Sequence, residues 1–239
     1  MTTGELLLNF IFPSVCRFCG EVIAYDAQVC PSCAQSLALI SGVTCAICGK
    51  EQGFCRCEGG EFEFKRCIAP FYYEGTAKQG VHTLKYGGVP YTAGYLSRYI
   101  LRLIKKQYKG VDFDLAVCVP MHRLKQRERG YNQAELLLKH ICAALHIRCC
   151  KHLLVQVKKN EAQHSKHRSE RAENVKGIYR VHSGYDLKDK TVLLIDDIFT
   201  TGATLNECTR ILKAAGAKNV YCAVFCTTKP IKLENQNNN

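Results

Sequence analysis

A chain of 239 residues, 47% apolar and 23% charged, has the composition of a soluble globular protein and the length for one or two domains. No apolar run reaches the ~18 residues that a membrane-spanning helix needs, so an integral membrane segment is not expected. The formal charge of +12 points toward anionic partners, either nucleic acid or phosphorylated ligands, and its sign survives if eight cysteines ionise on two zinc ions.

The chain opens with the apolar stretch Leu6-Leu7-Leu8-Asn9-Phe10-Ile11-Phe12-Pro13. It lacks a basic flank and a small-residue cleavage site, so it reads as a helix packed on the body and not as a signal peptide. A weak membrane-surface contact is the alternative. Of 16 cysteines, eight crowd into the first quarter of the chain. They form the pairs Cys16-x2-Cys19, Cys30-x2-Cys33, Cys45-x2-Cys48 and Cys55-x-Cys57. Cysteines two residues apart can both reach one tetrahedral ion, and Gly20 and Gly49 follow two of the pairs where a knuckle turn needs a permissive backbone. The spacing predicts one or two structural Zn²⁺ sites. Pairing in sequence order gives Cys16, Cys19, Cys30 and Cys33, then Cys45, Cys48, Cys55 and Cys57. An interleaved pairing of the first pair with the third is the alternative. The remaining cysteines mostly sit in apolar runs and read as small core residues.

Gly59-Gly60 marks a linker. Residues 67–73 then read as a strand, 76–86 as a helix ending at Gly87-Gly88, and 91–108 as an amphipathic helix. That second helix places Arg98, Arg102, Lys105 and Lys106 on its exposed side. Residues 114–119 read as a buried strand stopped by Pro120. A basic loop follows with His122, Arg123, Lys125, Arg127, Arg129 and Gly130. Residues 132–146 carry Ala134, Leu137, Leu138, Ile141, Cys142 and Leu145 at helical spacing, which predicts a core-facing stripe.

Residues 155–183 are polar and basic and read as a mobile loop. Lys158, Lys159, Gln163, Lys166, Arg168, Arg171 and Asn174 lie in it. His164 and His167 read as surface residues, and no residue is singled out as catalytic. Residues 191–195 are a short apolar run, as in a parallel strand covered on both faces. Asp196 and Asp197 come where that strand is expected to end, able to accept from a vicinal diol or to hold Mg²⁺. Thr200, Thr201, Gly202, Ala203 and Thr204 then open a helix over 205–215, and helix N-termini bind phosphate. Residues 220–226 are a further sheet strand, and the Asn-rich 233–239 reads as a disordered tail.

The order apolar strand, Asp196-Asp197, variable pair, Thr200-Thr201-Gly202-Ala203-Thr204 resembles the phosphoribosyl-diphosphate (PRPP) signature of type I phosphoribosyltransferases. In that setting Arg127, Arg129 and Gly130 form the loop that meets pyrophosphate. Taken with the cysteine pairs, Arg127-x-Arg129-Gly130-Tyr131-Asn132-Gln133 and Gln163…Arg168…Arg171…Asn174, the chain resembles the ComF family of bacterial natural transformation over nearly its whole length. Relatives often have Phe where Tyr131 stands here, and the second ribbon varies among them.

The resemblance implies a double zinc-ribbon region over 1–60 and an α/β phosphoribosyltransferase-like domain over 61–232, with a parallel sheet flanked by helices. It implies PRPP and Mg²⁺ binding and a cytoplasmic protein acting in DNA uptake. The expected partners are single-stranded DNA, a competence helicase and the uptake machinery at the inner membrane. Arg129, Tyr131, Lys158, Lys159, Arg168 and Arg171 are the candidate nucleic-acid contacts, with Tyr179 a further ring for stacking. An active phosphoribosyltransferase with an unidentified acceptor and a PRPP-sensing regulator are the alternatives. The ribbons are expected to be separable, so that Cys16→Ser spares the PRPP site.

Overall fold

The computed structural model describes residues 13–55, 57, 62–87, 91–158 and 177–229. The predicted N-terminal helix, the Gly59-Gly60 linker, Lys159, Gln163, His164, Lys166, His167, Arg168, Arg171, Asn174 and the 233–239 tail lie outside them.

After the cysteine pairs comes a short helix, α1 (Pro31–Ser36). The body then runs β1 (Arg66–Ile68), β2 (Phe71–Tyr72), α2 (Gly75–Tyr86), α3 (Thr92–Gln107), β3 (Leu115–Cys118), α4 (Arg123–Arg129) and α5 (Gln133–Leu145). It continues with β4 (Arg148–Cys149), β5 (Leu154–Gln156), β6 (Tyr179–Val181), β7 (Thr191–Phe199), α6 (Ala203–Ala214) and β8 (Asn219–Thr227). The strand predicted over 67–73 is two short strands, because Pro70 between them cannot donate to a ladder.

The main sheet has the order β1-β8-β7-β3-β4, with β2 following β1 along β8, and every pairing is parallel. Both faces are covered, which is why its central strands are near-continuous apolar runs. Strand alternation divides the side chains between two cores. Leu193, Ile195, Ala223 and Phe225 face a layer of α2, α3 and α5 residues such as Val81, Leu96 and Leu137. Val192, Leu194, Cys222 and Val224 face Leu205, Cys208 and Leu212 of α6.

The ribbons are built into these cores. Cys16, Phe18, Cys30 and Cys33 belong to the first cluster, and Cys48 belongs to the second. A separate antiparallel pair, β5 with β6, frames the undescribed residues 159–176. The predicted polar loop over 155–183 therefore begins and ends in a hairpin. Leu154 and Tyr179 anchor the hairpin in the second core, a contact that the loop's composition hid.

Candidate functional site and cysteine centres

The topology itself opens a crevice. From β3 the chain crosses through α5 to β4, on one side. From β7 it crosses through α6 to β8, on the other. The divergence lies between β3 and β7, the position where open parallel sheets bind ligands. The β3–β7 ladder ends at the Cys118–Ile195 pair, while β7 continues beside β8 to Phe199. Asp196 and Asp197 therefore lie within the strand and not beyond it, as the sequence had predicted. They sit where β7 has lost its β3 neighbour but keeps β8, which fixes the backbone and leaves the β3 side open.

A cavity of about 340 Å³ occupies that opening. Asp196 and Asp197 line one wall, and Lys85 and Tyr86 of α2 line another. His122, Lys125 and Arg129 come from the segment predicted as a basic loop, and Gln133 from the start of α5. That segment is in fact helical. The His122 Nδ1 accepts from the Leu124 N–H at 3.3 Å as an N-cap, and Gly130 ends the helix at φ 84°. Asn132 joins the next wall to β3, since its Oδ1 accepts from the Ala134 N–H at 3.0 Å and its Nδ2 donates to the Val119 carbonyl at 3.0 Å.

Two of the charges inside are already paired. Lys85 Nζ lies 2.6 Å from Asp197 Oδ2, with the two side chains 20% and 15% exposed. Burial alone would lower the Lys85 pKa, but Asp197 and then Asp196 outweigh it and hold the ammonium above the usual lysine range. Asp196 accepts from the Asp197 N–H at 2.8 Å. By surface area Asp196 is only half-buried, yet desolvation by the protein around its carboxyl, and then Asp197 beside it, push that carboxyl well above the usual range. The cavity therefore holds a carboxyl pair that gains from a cation or a hydroxyl donor. Gln133 is 2% exposed, and its Nε2 has no hydrogen-bond partner among the described residues. A buried amide facing a cavity without a partner is costly unless a ligand completes it. Hard oxygen donors beside several cations suit a Mg²⁺-bearing polyphosphate.

The predicted site residues fall into groups. Asp196, Asp197 and Arg129 share the cavity, whereas Arg127, Gly130 and Thr200 to Thr204 are not among its lining residues. Gly202, at φ 84°, caps α6, and Ala203 N–H reaches Thr201 Oγ1 at 3.4 Å. The loop is gripped from outside. Lys50 of the second ribbon donates to the Thr200 carbonyl at 3.5 Å, and a Cβ on Gly202 would lie 2.6 Å from Phe62 and 2.8 Å from Phe199. Lys158 is exposed at the end of the hairpin strand.

Two rings expected to stack on bases are otherwise engaged. Tyr131 is half-buried with its hydroxyl donating to the Leu84 carbonyl at 2.7 Å, and Tyr179 is 5% exposed in the cavity wall. Sequence reasoning missed Lys85 and Tyr86. A lysine in the last turn of a helix reads as ordinary dipole compensation, and nothing local announces its partner on β7. Tyr86 meets Arg129 across the cavity, with a guanidinium-to-ring distance of 4.9 Å and an Nη2-to-hydroxyl distance of 3.3 Å.

The eight cysteines form two groups of four, Cys16, Cys19, Cys30, Cys33 and Cys45, Cys48, Cys55, Cys57, each with its ligand atoms within 4.8 Å of one another. This is the sequential pairing. The Cys19–Cys30 and Cys48–Cys55 sulfurs are 3.8 and 3.6 Å apart. Tetrahedral Zn–S bonds of about 2.3 Å place sulfurs about 3.8 Å apart, so the groups fit zinc. Backbone N–H groups of Cys30, Ile47 and Cys57 point at sulfurs at 3.3 Å, favouring thiolates. The Ser32 hydroxyl and then the Cys33 N–H lower Cys30 to about 6, while burial and neighbouring sulfurs push Cys19 up to about 11. Four sulfurs this close conflict unless a cation neutralises them. With no ligand position left open, the sites are structural.

Known proteins share this layout. Residues 7–68 match the double zinc ribbon domain family, and residues 132–239 match the phosphoribosyl transferase domain family. The chain is thus a double zinc ribbon joined to a phosphoribosyltransferase-type domain, and it is similar over most of its length to proteins named for competence and DNA utilization. It is 29% identical to Competence protein ComFC of Streptococcus pneumoniae over 82% of this chain and 86% of that one. It is 28% identical to Competence protein ComFC of Bacillus subtilis over 80% of each. DNA utilization protein YhgH of Escherichia coli K12 is 25% identical over 90% of each.

Proposed function

We propose that this protein binds PRPP with Mg²⁺ in the crevice between β3 and β7 and acts in DNA uptake by handling incoming single-stranded DNA. The observation that carries the ligand reading is one cavity uniting Asp196 and Asp197, the cations Lys85, Lys125 and Arg129, and the unpartnered Gln133 amide. The carboxylates would take the ribose hydroxyls and Mg²⁺, the cations and Gln133 the pyrophosphate, and the α6 N-terminus the 5′-phosphate. Bound Mg²⁺ would supply charge neutralisation between ribose and pyrophosphate. The names of the relatives, competence and DNA utilization, support the cellular role. So does the +12 charge. Among the described residues no helix is long and apolar enough to cross a membrane. We place the protein in the cytoplasm, peripheral to an inner-membrane uptake apparatus and its helicase.

The test is titration calorimetry with PRPP and Mg²⁺. Asp196→Ala combined with Asp197→Ala is expected to abolish binding while the far-ultraviolet circular dichroism stays that of the wild type. Near-normal affinity in the double variant would remove the site assignment.

A further inference from the structure

Away from the PRPP cavity a second concavity, about 430 Å³, lies where the first ribbon meets α3 and α5. Arg17 and Gln28 come from the ribbon, Tyr91, Tyr95 and Arg98 from the start of α3, and His140 from α5. Its chemistry is one-sided, since none of the described residues lining it is acidic. Helix α3 itself contains no Asp or Glu.

The cations are laid on rings. The Arg17 guanidinium sits 4.4 Å from the Tyr91 ring centre, and that of Arg98 lies 5.5 Å from the Tyr95 ring centre. Gln28 Oε1 accepts from Arg17 Nε at 3.2 Å, which fixes the guanidinium plane; its terminal nitrogens have no hydrogen-bond partner among the described residues. Tyr91 is 54% exposed although Arg17 covers one side of it. The His140 imidazole lies on the α3 backbone where Gly94 leaves room, and a Cβ there would be 3.1 Å from the ring. From Arg98 in the groove, Arg102 and Lys105 continue an exposed cationic stripe about 10 Å long at 1.5 Å per residue.

We propose that this groove is a binding path for single-stranded nucleic acid, with Arg17 and Arg98 holding backbone phosphates and Tyr91 stacking on a base. This rests on the DNA-handling reading above and moves its interface from the basic loops to the ribbon–α3–α5 junction. The partner class follows from the chemistry. Rings beside fixed guanidinium groups are how proteins hold unpaired strands without sequence preference. A duplex keeps its bases stacked out of reach, and the groove is small enough for only a nucleotide or two. The placement also gives the first ribbon a task, since the turn that carries Arg17 lies between the zinc ligands Cys16 and Cys19.

The test uses the full-length zinc-loaded protein and a fluorescent oligothymidine of about 20 nucleotides, long enough to cover more than one such site. Anisotropy is followed across a salt series, with PRPP titrated separately. For Arg17→Gln combined with Arg98→Gln, affinity at low salt is expected to fall about ten-fold. The slope of log K on log salt should shrink by about 1.4, two phosphate contacts at about 0.7 each. Tyr91→Ala should lower affinity with the slope unchanged, and PRPP affinity and zinc content should stay constant in both variants. If the wild type binds and the double variant binds equally with the same slope, the groove is overturned while the DNA reading stands. If the wild type binds no oligonucleotide at low salt, both fall.

Discussion

Lys85 decides how the acidic pair in the cavity behaves. It gives Asp197 a counter-charge at 2.6 Å, so the Mg²⁺ or ribose we propose to bind there would have to take over a carboxylate already engaged. Lys85→Met would leave Asp197 uncompensated beside Asp196, in a site that keeps only a fifth of its solvent access. Removing one partner of a fully buried pair costs about 3–5 kcal/mol, and discounting for this residual access gives about 2 kcal/mol. The Lys85 pKa is raised in the folded protein. Its contribution is therefore full below the unfolded lysine value of about 10.4 and is lost as pH rises through the higher folded value. Urea unfolding should show the loss at pH 7 and a shrinking difference from wild type above about pH 10.4. Adding Asp197→Asn should restore most of it, and additive single effects in that cycle would refute the coupling.

At the scale of elements, legibility followed the range of the forces involved. Helices α3, α5 and α6 and strands β7 and β8 were legible because apolar periodicity reports burial directly. The strand end at Asp196 was misplaced because composition changes there while the β8 pairing does not. The basic segment was read as a loop because α4 has no apolar stripe and no buried residue; its caps, His122 and Gly130, hold it. The Thr200 to Thr204 loop was legible as a motif, but its support was not. Gly202 is constrained by its left-handed backbone and by the Phe62, Phe64 and Phe199 cluster pressed against it. Gly202→Val must adopt φ 84° with a branched side chain and push rings from 2.6 Å. A cost of about 2–4 kcal/mol is expected from strain and overpacking. PRPP binding should be lost even at temperatures where the variant is fully folded. A variant as stable as wild type by urea titration would show that the aromatic cluster yields freely.

At the scale of the molecule, the ribbons were legible as metal sites because cysteine spacing is a local signal. Where they dock was hidden, since no spacing rule says which surface a knuckle covers. The structure places them against opposite faces of the sheet, and the first is tied to the helix that lines the proposed PRPP cavity, so against the expectation of separability we predict coupling between the two. Thr83 of α2 donates to the Phe18 carbonyl, inside the first knuckle, at 2.6 Å. Two residues further along the same helix Lys85 meets Asp197. Loss of the first zinc should therefore loosen α2 and weaken the cavity. Elemental analysis of reduced wild-type protein should give two zinc ions per chain, and Cys16→Ser should give one. With metal supplying most of a ribbon's folding energy, the variant should melt about 10 °C lower, at roughly 2–4 °C per kcal/mol for a chain of this size. Its PRPP affinity should fall about three-fold or more, the scale of coupling between connected sites. A variant that loses one zinc and melts early yet binds PRPP as the wild type does would cut the link through α2 and return the ribbon to a separate unit.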